Sequence, residues 1–537
     1  MTVKSLGELF AAIPYMMVGP TSDRKDATTQ NITGIAYRSD CVEPGDAFFC
    51  VRGLMHDGHD FAADALARGA SLLVVQRPLD LDVPQVQVED TRKALALASS
   101  ALFGDPSAQL KILAITGTNG KTTTTFLIDW IIRYALSASG DCKADDKTGL
   151  IGTVETRIGR ARLDSHHTTP ESYDLQKLLR RMLDSGCEFV SMEASSHAIA
   201  LDRVAGVNIV GAAFTNLTQD HLDFHRDMQE YFEVKARLFT SDLTHGRVIN
   251  IDSEYGRTLA RLCVENNYPV VTTGYSEEAD IRVLQSRFTT SRTNLRLSTP
   301  EGIVELSYPL IGAFNVENVL LATGIARILG IDYPTICTAL MQAPQVPGRL
   351  ESIDGRIQAE YREKMGSRAT LPRVFVDYAH TPDSIEKALA AISGIKTARV
   401  GIVFGCGGDR DRGKRPLMAQ AARAADFVVV TSDNPRSEDP LAIIDDILPG
   451  LSGYANLTVE PDRRKAIAKA LATAGPDDII LIAGKGHEDY QLVGDQVLSF
   501  DDRLVAAEEL DALFMRQQEA GCTAVCSDDN EVGESER

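Results

Sequence analysis
A chain of 537 residues, 44% hydrophobic and 24% charged, is too long for one hydrophobic core and is expected to divide into about three domains. Its 55 Lys and Arg against 75 Asp and Glu give a formal net charge of -20. Nucleic acid and anionic membrane surfaces would therefore be repelled by most of this surface, and any anionic substrate must be met by local basic groups. Of nine cysteines, Cys522 and Cys526 form the one close pair, at a spacing that suits neither zinc nor a thioredoxin-type motif, so reduced thiols follow. Lys4 and Glu8 precede any apolar run long enough for a signal peptide, and no stretch approaches the roughly 18 apolar residues of a membrane span. The expectation is a soluble, cytoplasmic, monomeric protein acting on small molecules, with no nucleic acid partner and no membrane-embedded part.

Residues 1 to about 108 carry short strands and helices of a small α/β domain: turn and strand at Gly45 to Val51, helix at Phe61 to Ala67, strand at Ser71 to Val75. The polar loop Leu54 to Asp60 between them is either a connection or a ligand-binding loop.

Ile112 to Ile115 reads as a buried parallel strand. It runs into Thr116-Gly117-Thr118-Asn119-Gly120-Lys121-Thr122-Thr123, and then into apolar residues at helical spacing. Gly117 and Gly120 permit backbone angles that turn successive N–H groups toward an anion at a helix start. Lys121 would reach the β- and γ-phosphates, and the Thr122 hydroxyl would face Mg²⁺. The longer G-x-x-x-x-G-K-[ST] pattern is not met, because Ile115 stands where glycine is required. The alternative is a tight strand-to-helix turn with a solvated lysine.

Residues 137–147 read as a polar surface insertion. Thr168-Thr169-Pro170-Glu171 precedes a leucine-periodic helix from near Ser172, an arrangement that suits a helix cap. Phe189 to Glu193 is a buried strand ending in Ala194-Ser195-Ser196-His197, where Glu193 is either a metal-holding carboxylate or a satisfied core group. The strand Val210 to Leu217 leads into Asp220, His221, Asp223 and His225, a polar turn too dense for a wholly structural reading. Zinc at His221 and His225 is an alternative without a nearby third ligand. Lys235 lies among apolar neighbours in a helix and reads as a snorkelling side chain. Asn315 and Asn318 share a helix face, suited to a base edge or to capping.

Pro344 to Leu350 reads as a hinge into another α/β domain, with a charged insertion at about 356–371. After a strand at Arg373 to His380, strands ending at Phe404, Val430 and Ile482 run into loops rich in Gly and charge: 405–416, 431–436 and 483–490. These should share one edge of a doubly wound sheet. From about 517 the chain is acidic and without periodicity, the mark of a disordered tail.

The ordered set Gly117 to Thr123, Met192 to His197, Asn216 to Asp223, Gly312 to Asn318, Asp377 to Pro382, Gly407 to Pro416, Asp433 to Arg436 and Gly484 to Glu488 resembles the Mur ligases of peptidoglycan synthesis. The likeness covers essentially the whole chain apart from insertions and tail. It implies three α/β domains: a UDP-binding domain over 1–108, a P-loop-type parallel-sheet ATP-binding domain over 109–348, and a Rossmann-like doubly wound amino-acid-binding domain over 349–516. The implied activity is ATP-dependent amide formation through an acyl-phosphate, with Mg²⁺ as cofactor. Within the family the likeness is to members that add a diamino acid to the D-Glu γ-carboxyl of UDP-N-acetylmuramoyl-L-Ala-D-Glu. Lys121, Glu193, His221 and Lys235 are then catalytic. Thr122, Glu193, His221 and Lys235 hold metal, with Lys235 carboxylated to a carbamate. Gly117, Thr118, Asn119, Gly120, Lys121, Thr122, Thr123, Asn315, Arg349 and Asp377 would contact ATP. Tyr37, Ser39, Leu54, Met55, His56, Thr168, Thr169, Ser195, Leu201 and Arg203 would contact the UDP-sugar peptide.

Two departures stand out: Arg38-Ser39-Asp40 replaces the usual Asp-Ser-Arg, and Leu201 stands where Gln is common. The amino acid would be read by Arg410, Asp433, Asn434, Pro435, Arg436, Gly484 and Glu488. Arg436 points to meso-diaminopimelate, since a guanidinium grips a second carboxylate through two parallel hydrogen bonds, a group that lysine lacks. Competing readings are L-lysine as the amine, a folylpolyglutamate synthetase-like ligase, and a non-catalytic nucleotide-binding regulator.

Overall fold
The structure, a computed structural model, describes residues 3–19, 29–53, 56–163, 167–222, 224–289, 291–357, 359–360, 371–396 and 398–528. The chain falls into two compact units, one of residues 1–284, 296–305 and 317–340, the other of 285–295, 306–316 and 341–537. Its larger sheets have five, eleven and six strands.

The first unit opens on the five-stranded sheet, ordered Met16–Val18, Gln85–Gln87, Leu72–Val75, Ala47–Phe49, Ile35–Ala36, parallel except at its first pair. In the large sheet the strand Lys111–Thr116 is central, flanked by Phe189–Glu193 and Ile209–Phe214, both parallel to it. Ile112, Leu113, Ala114 and Ile115 are completely buried. A parallel strand covered on both faces needs such a continuous apolar run, and each large side chain removed from water contributes about 1.5–3 kcal/mol. Helix Ser172–Asp184 buries Leu175, Leu179 and Met182 along one stripe, which places them in the core with Val190 and Met192. Register pairs Glu193 with Ile115 and Phe214 with Thr116, so three strands end together at one edge.

In the second unit the six-stranded sheet runs Glu351–Ile353, Arg373–Asp377, Ile479–Ala483, Val400–Phe404, Phe427–Val430, Leu457–Val459. Only its first pair is antiparallel. The carboxyl ends at Asp377, Ala483, Phe404 and Val430 therefore lie along one edge, as expected of a doubly wound sheet. Arg463, buried at the start of helix Arg463–Thr473, ties this edge together. Its Nε and Nη2 donate to the two oxygens of buried Asp502, both at 2.7 Å. Nη1 donates to Ser432 O at 3.3 Å and Nη2 to Ala483 O at 3.0 Å.

One expectation needs correction. The final helix runs Asp502–Asp528, so residues 517–528 are not without structure: Phe514 anchors the helix in the core and the backbone continues it. The polar insertion at 137–147 carries local order. The phosphate-loop helix reaches Ala138, a 3-10 turn forms at Ala144–Lys147, and Lys147 pairs with Asp141 and Glu188, each at 2.8 Å. Much of the 356–371 insertion lies outside the described residues. Every cysteine whose side chain is described is a free thiol. No helix among the described residues is long and apolar enough to cross a membrane.

Removing the charge of Asp502 leaves the buried Arg463 guanidinium with only Asp433, 3.9 Å away, as a counter-ion. Asp502→Asn is expected to cost about 3–5 kcal/mol. In calorimetry the transition of this part of the chain should fall by on the order of 10 °C.

Candidate active site
The turn after Lys111–Thr116 is shaped by its glycines. Gly117 has φ +146° and Gly120 has φ +87°; an added Cβ would lie 1.8 Å from Thr215 Oγ1 and 2.2 Å from Asn318 Oδ1, respectively. The loop is laced to the neighbouring strand end. Thr118 N donates to Asn216 O at 2.9 Å, Asn119 N to Asn216 Oδ1 at 3.0 Å, and Thr215 Oγ1 to Asn119 O at 2.6 Å. Helix Lys121–Ala138 begins directly after it, presenting its first backbone N–H groups where an anion is favoured.

Two lysines meet on this loop. Lys121 Nζ donates to the carbonyls of Gly117 at 3.0 Å and Thr118 at 2.8 Å. Lys235, on helix Met228–Ala236 and 1% exposed, donates to the same Gly117 carbonyl at 3.0 Å and lies 4.7 Å from the Tyr231 ring centre. Burial, with Lys121 nearby, pushes the Lys235 amine well below its ordinary value. Lys235 does not snorkel: its nitrogen ends inside the protein on the phosphate loop.

Glu193, also 1% exposed, accepts from Thr153 N at 2.8 Å and Thr153 Oγ1 at 3.1 Å. Sequence reasoning missed Thr153, whose position shortly after the strand Thr148–Ile151 was the available signal. The Thr153 and Thr168 hydroxyls are 2.9 Å apart. Thr169 Oγ1 donates to Glu193 O at 2.8 Å and accepts from Ser195 N at 3.2 Å. The threonines therefore do not cap the following helix, since Glu171 occupies that position. Glu171 instead joins Arg203 at 3.5 Å and Arg92 at 3.1 Å, while Arg203 donates to Thr169 O at 3.1 Å. The Ser195 hydroxyl caps the short helix Ser196–Ala200, and Leu201 ends it.

His221 has φ +54°, and its ring lies 5.0 Å from that of His197. Burial pushes its imidazole down to about 4; Asp220 opposes this, and Lys121, His197 and Lys235 add to it. Among the described residues no group of three or more His, Cys, Asp or Glu is gathered to hold a metal ion, and the zinc alternative finds no third ligand there.

Tyr37 OH donates to Asp174 Oδ2 at 2.6 Å. Arg38 and Asp40 pair with each other through bonds of 3.0 and 2.6 Å, with Ser39 opening the turn Ser39–Cys41. The His56 ring meets Phe61 edge-on at 6.1 Å. Leu54 and Met55 lie outside the described residues.

In the second unit Asp377 Oδ2 accepts from Leu350 N at 2.6 Å. Burial raises its carboxyl to about 6 against the opposing charge of Arg349, whose guanidinium stacks 4.7 Å from the Tyr378 ring centre. Asn315 is buried and donates to Ile311 O at 2.8 Å. The Thr124 hydroxyl, in the first unit, donates to Asn318 Oδ1 at 3.2 Å.

The three Gly- and charge-rich loops of the six-stranded sheet do meet. Gly408 N donates to Asn434 O at 2.9 Å and Asn434 Nδ2 to Glu488 Oε2 at 2.8 Å. Asp433 Oδ2 sits 2.4 Å from where a Cβ on Gly484 would be. Pro435 O packs against Gly408, and Arg410 flanks Gly407 beside Arg436. Arg436 has φ +53°; its N–H donates to Leu492 O at 3.0 Å, its carbonyl accepts from Gly494 N at 2.7 Å, and its Nη1 donates to Gly408 O at 2.7 Å. It forms no ion pair among the described residues. Lys485 and Arg463 support these loops and were not singled out from sequence, because a lysine or arginine in a polar stretch ordinarily reads as solvated.

Comparison with known proteins agrees with this arrangement. Family models match in chain order: the Mur ligase family catalytic domain over residues 31–104, the Mur ligase middle domain over 115–326, and the Mur ligase glutamate ligase domain over 362–486. The UDP-N-acetylmuramoyl-L-alanyl-D-glutamate–2,6-diaminopimelate ligase of Geobacillus thermodenitrificans is 44% identical over 485 residues, covering 89% of this chain and 94% of that one. A solved structure of a ligase with the same description is 31% identical, with TM-score 0.68, covering 96% of this chain and all of the other. MurF from Acinetobacter baumannii shares the fold at 20% identity and TM-score 0.60, covering 96% and 99%.

Gly117→Ala would force the loop away from Thr215 and out of its left-handed conformation. It is expected to destabilise the protein by more than about 1 kcal/mol and to abolish the stabilisation that ATP gives in a thermal-shift assay.

Proposed function
The chain belongs to the Mur ligase family, and from that premise we propose that it joins meso-2,6-diaminopimelate to the D-Glu γ-carboxyl of UDP-N-acetylmuramoyl-L-Ala-D-Glu. It is an ATP-dependent, amide-forming ligase. The observation that carries the choice of amine is Arg436, partly buried and without a carboxylate partner among the described residues, at the meeting point of three strand-end loops. A second carboxylate on the incoming amino acid would supply that partner.

In the proposed reaction the γ-carboxylate attacks the terminal phosphorus of ATP and ADP leaves. The amine then attacks the acyl carbon, and phosphate leaves from the tetrahedral intermediate. The N–H groups of Gly117 to Thr123 and the Lys121 ammonium would take the phosphates, Lys121 giving up its loop carbonyls to do so. Asn315, Arg349 and Asp377 would take the adenine, phosphate and ribose. Tyr37, Ser39 and the loop at His56 would hold the uridine diphosphate, and Thr168, Thr169, Ser195, Leu201 and Arg203 the muramoyl-dipeptide.

Magnesium suits the donors. Glu193 is a buried carboxylate with hydrogen bonds but no cation partner among the described residues, His221 offers a neutral imidazole, and Thr122 opens the phosphate-loop helix. A site with few protein ligands leaves room for phosphate oxygens and water. When bound, the ion would neutralise charge on the transferring phosphoryl group.

Lys235 fits the carbamate role because burial lowers the pKa of its amine and so favours the neutral form, the one that adds to CO₂. Loss of one proton then leaves an anion able to hold a metal. We take the protein to act as a monomer, and dependence on ATP suits the cytoplasm.

Product mass after incubation with ATP, the UDP-linked dipeptide and either meso-diaminopimelate or L-lysine tests the assignment; a product with lysine alone would overturn the choice of amine. Lys235→Ala is expected to be nearly inactive and to recover partly with a small added carboxylate, whereas intact mass showing a free amine in a fully active enzyme would refute the carbamate. Arg436→Ala should remove a charge-assisted contact worth on the order of 2–5 kcal/mol from diaminopimelate and far less from lysine. The ratio of the two kcat/KM values checks this, and equal losses would make Arg436 a general support of the loops.

A further inference from the structure
Lys485 is fully buried, at 0% exposure, between Gly484 and Glu488. An ammonium has three donors and no acceptor, and here each donor has a partner: Asn434 Oδ1 at 3.2 Å, Glu488 Oε2 at 3.2 Å and the Tyr490 carbonyl. Asn434 Oδ1 also accepts from Leu492 N at 3.0 Å. Two donors on that atom decide which end of the amide is oxygen, so the NH₂ end must face the other way. There it donates to Glu488 Oε2 at 2.8 Å. Glu488 Oε2 thus accepts from both Lys485 and Asn434, while Oε1 accepts no hydrogen bond among the described residues. The Glu488 side chain is 16% exposed.

We propose that Lys485 is a positioning residue for the incoming amino acid: by fixing the Asn434 amide and anchoring one oxygen of Glu488, it holds the other oxygen ready for the ammonium of that amino acid. This rests on the assignment of Asn434 and Glu488 as amino-acid contacts made above. Lys485 itself touches no substrate. Without it, Asn434 Oδ1 would keep only Leu492 N and Glu488 Oε2 only Asn434 Nδ2, so Glu488 would be free to swing about a single bond and would have to be reordered each time the amine binds. A buried ion pair that served only folding would lower the amount of active protein without discriminating between substrates.

The test measures kcat and KM for all three substrates on the full-length enzyme and on Lys485→Met, Lys485→Arg, Glu488→Gln and the Lys485→Met, Glu488→Gln double variant. Lys485→Met should raise KM for the amino acid that the wild type ligates by roughly 10- to 100-fold and leave KM for ATP and the UDP-linked dipeptide within about twofold. The double variant should be no worse in kcat/KM than Glu488→Gln alone, because Lys485 acts through Glu488. A fall in kcat with every KM unchanged, or additive losses in the double variant, would overturn the proposal. Should Lys485→Met not fold, Lys485→Arg decides. A planar guanidinium keeps the charge but cannot bring its donors to these three acceptors as one nitrogen does, so KM for the amino acid should still rise about fivefold or more, and a wild-type KM overturns the proposal. The readout uses whichever amino acid the wild type accepts, so an error over diaminopimelate leaves it intact. A wild-type KM in Glu488→Gln would instead overturn the site assignment beneath it.

Discussion

One carbonyl oxygen, that of Gly117, accepts from the ammonium groups of both Lys121 and Lys235. Two cations so close in a desolvated site repel each other, and the cost is least if one of them gives up its proton. Burial decides which: Lys235 is almost wholly enclosed, whereas Lys121 stands at the helix start beside a loop that a ligand can enter. The pair is therefore unequal: burial, with Lys121 nearby, holds the Lys235 amine well below its ordinary value. The loop that makes this possible depends on Gly117 and Gly120, because side chains there would meet Thr215 and Asn318. Strand register then brings Glu193 to the same edge. Much of the proposed activation chemistry thus follows from three parallel strands ending in line.

The second unit uses buried charge differently. Arg463 and Asp502 neutralise each other inside the protein, and Arg463 donates its spare hydrogens to the carbonyls of Ser432 and Ala483, an arrangement that fixes where the loops begin. Lys485 works one step further out, on the side chains those loops carry. Among the described residues Arg436 is left without a counter-ion at the same edge. A buried ion pair adds little net stability compared with apolar residues of similar size, but its directional bonds constrain geometry. Here that constraint falls on the residues proposed to read the amino acid.

Much of this was legible in the sequence because its causes are local. A β-branched run followed by two glycines and Lys-Thr reports a strand, a turn that permits positive φ, and a helix start. Repetition of strand followed by a Gly- and charge-rich loop reports a doubly wound sheet. What escaped reading depends on partners distant in the chain. Thr168 and Thr169 looked like a helix cap because the helix is adjacent in sequence, but their hydroxyls are engaged by Thr153, Glu193 and Ser195. Lys235 looked like a snorkelling lysine because the sequence cannot show that the phosphate loop lies over it. The stretch after 517 is acidic and lacks periodicity, yet as far as Asp528 it continues a helix that Phe514 fixes in the core: upstream anchoring overrode local composition.

The reversed triplet Arg38-Ser39-Asp40 follows the same logic. Arg38 and Asp40 satisfy each other through a two-point contact across a single intervening residue, and both are exposed. Exposed pairs of this kind contribute at most about 1 kcal/mol, so the contact is too weak to be retained for stability alone, and a ligand phosphate or carbonyl could draw Arg38 away. Tyr37 is more constrained. Its hydroxyl donates to Asp174, and burial together with that carboxylate raises its pKa, so it stays protonated and is already committed as a donor. Its ring packs against the core and lies 6.3 Å from that of Tyr173, so its remaining capacity is the oxygen lone pairs. Of the three neighbouring positions, Tyr37 can therefore offer acceptance, Ser39 a hydroxyl, and Arg38 a charge released from a weak pair, so that the reversed triplet still presents a cation and a hydroxyl at the position proposed to meet the uridine diphosphate.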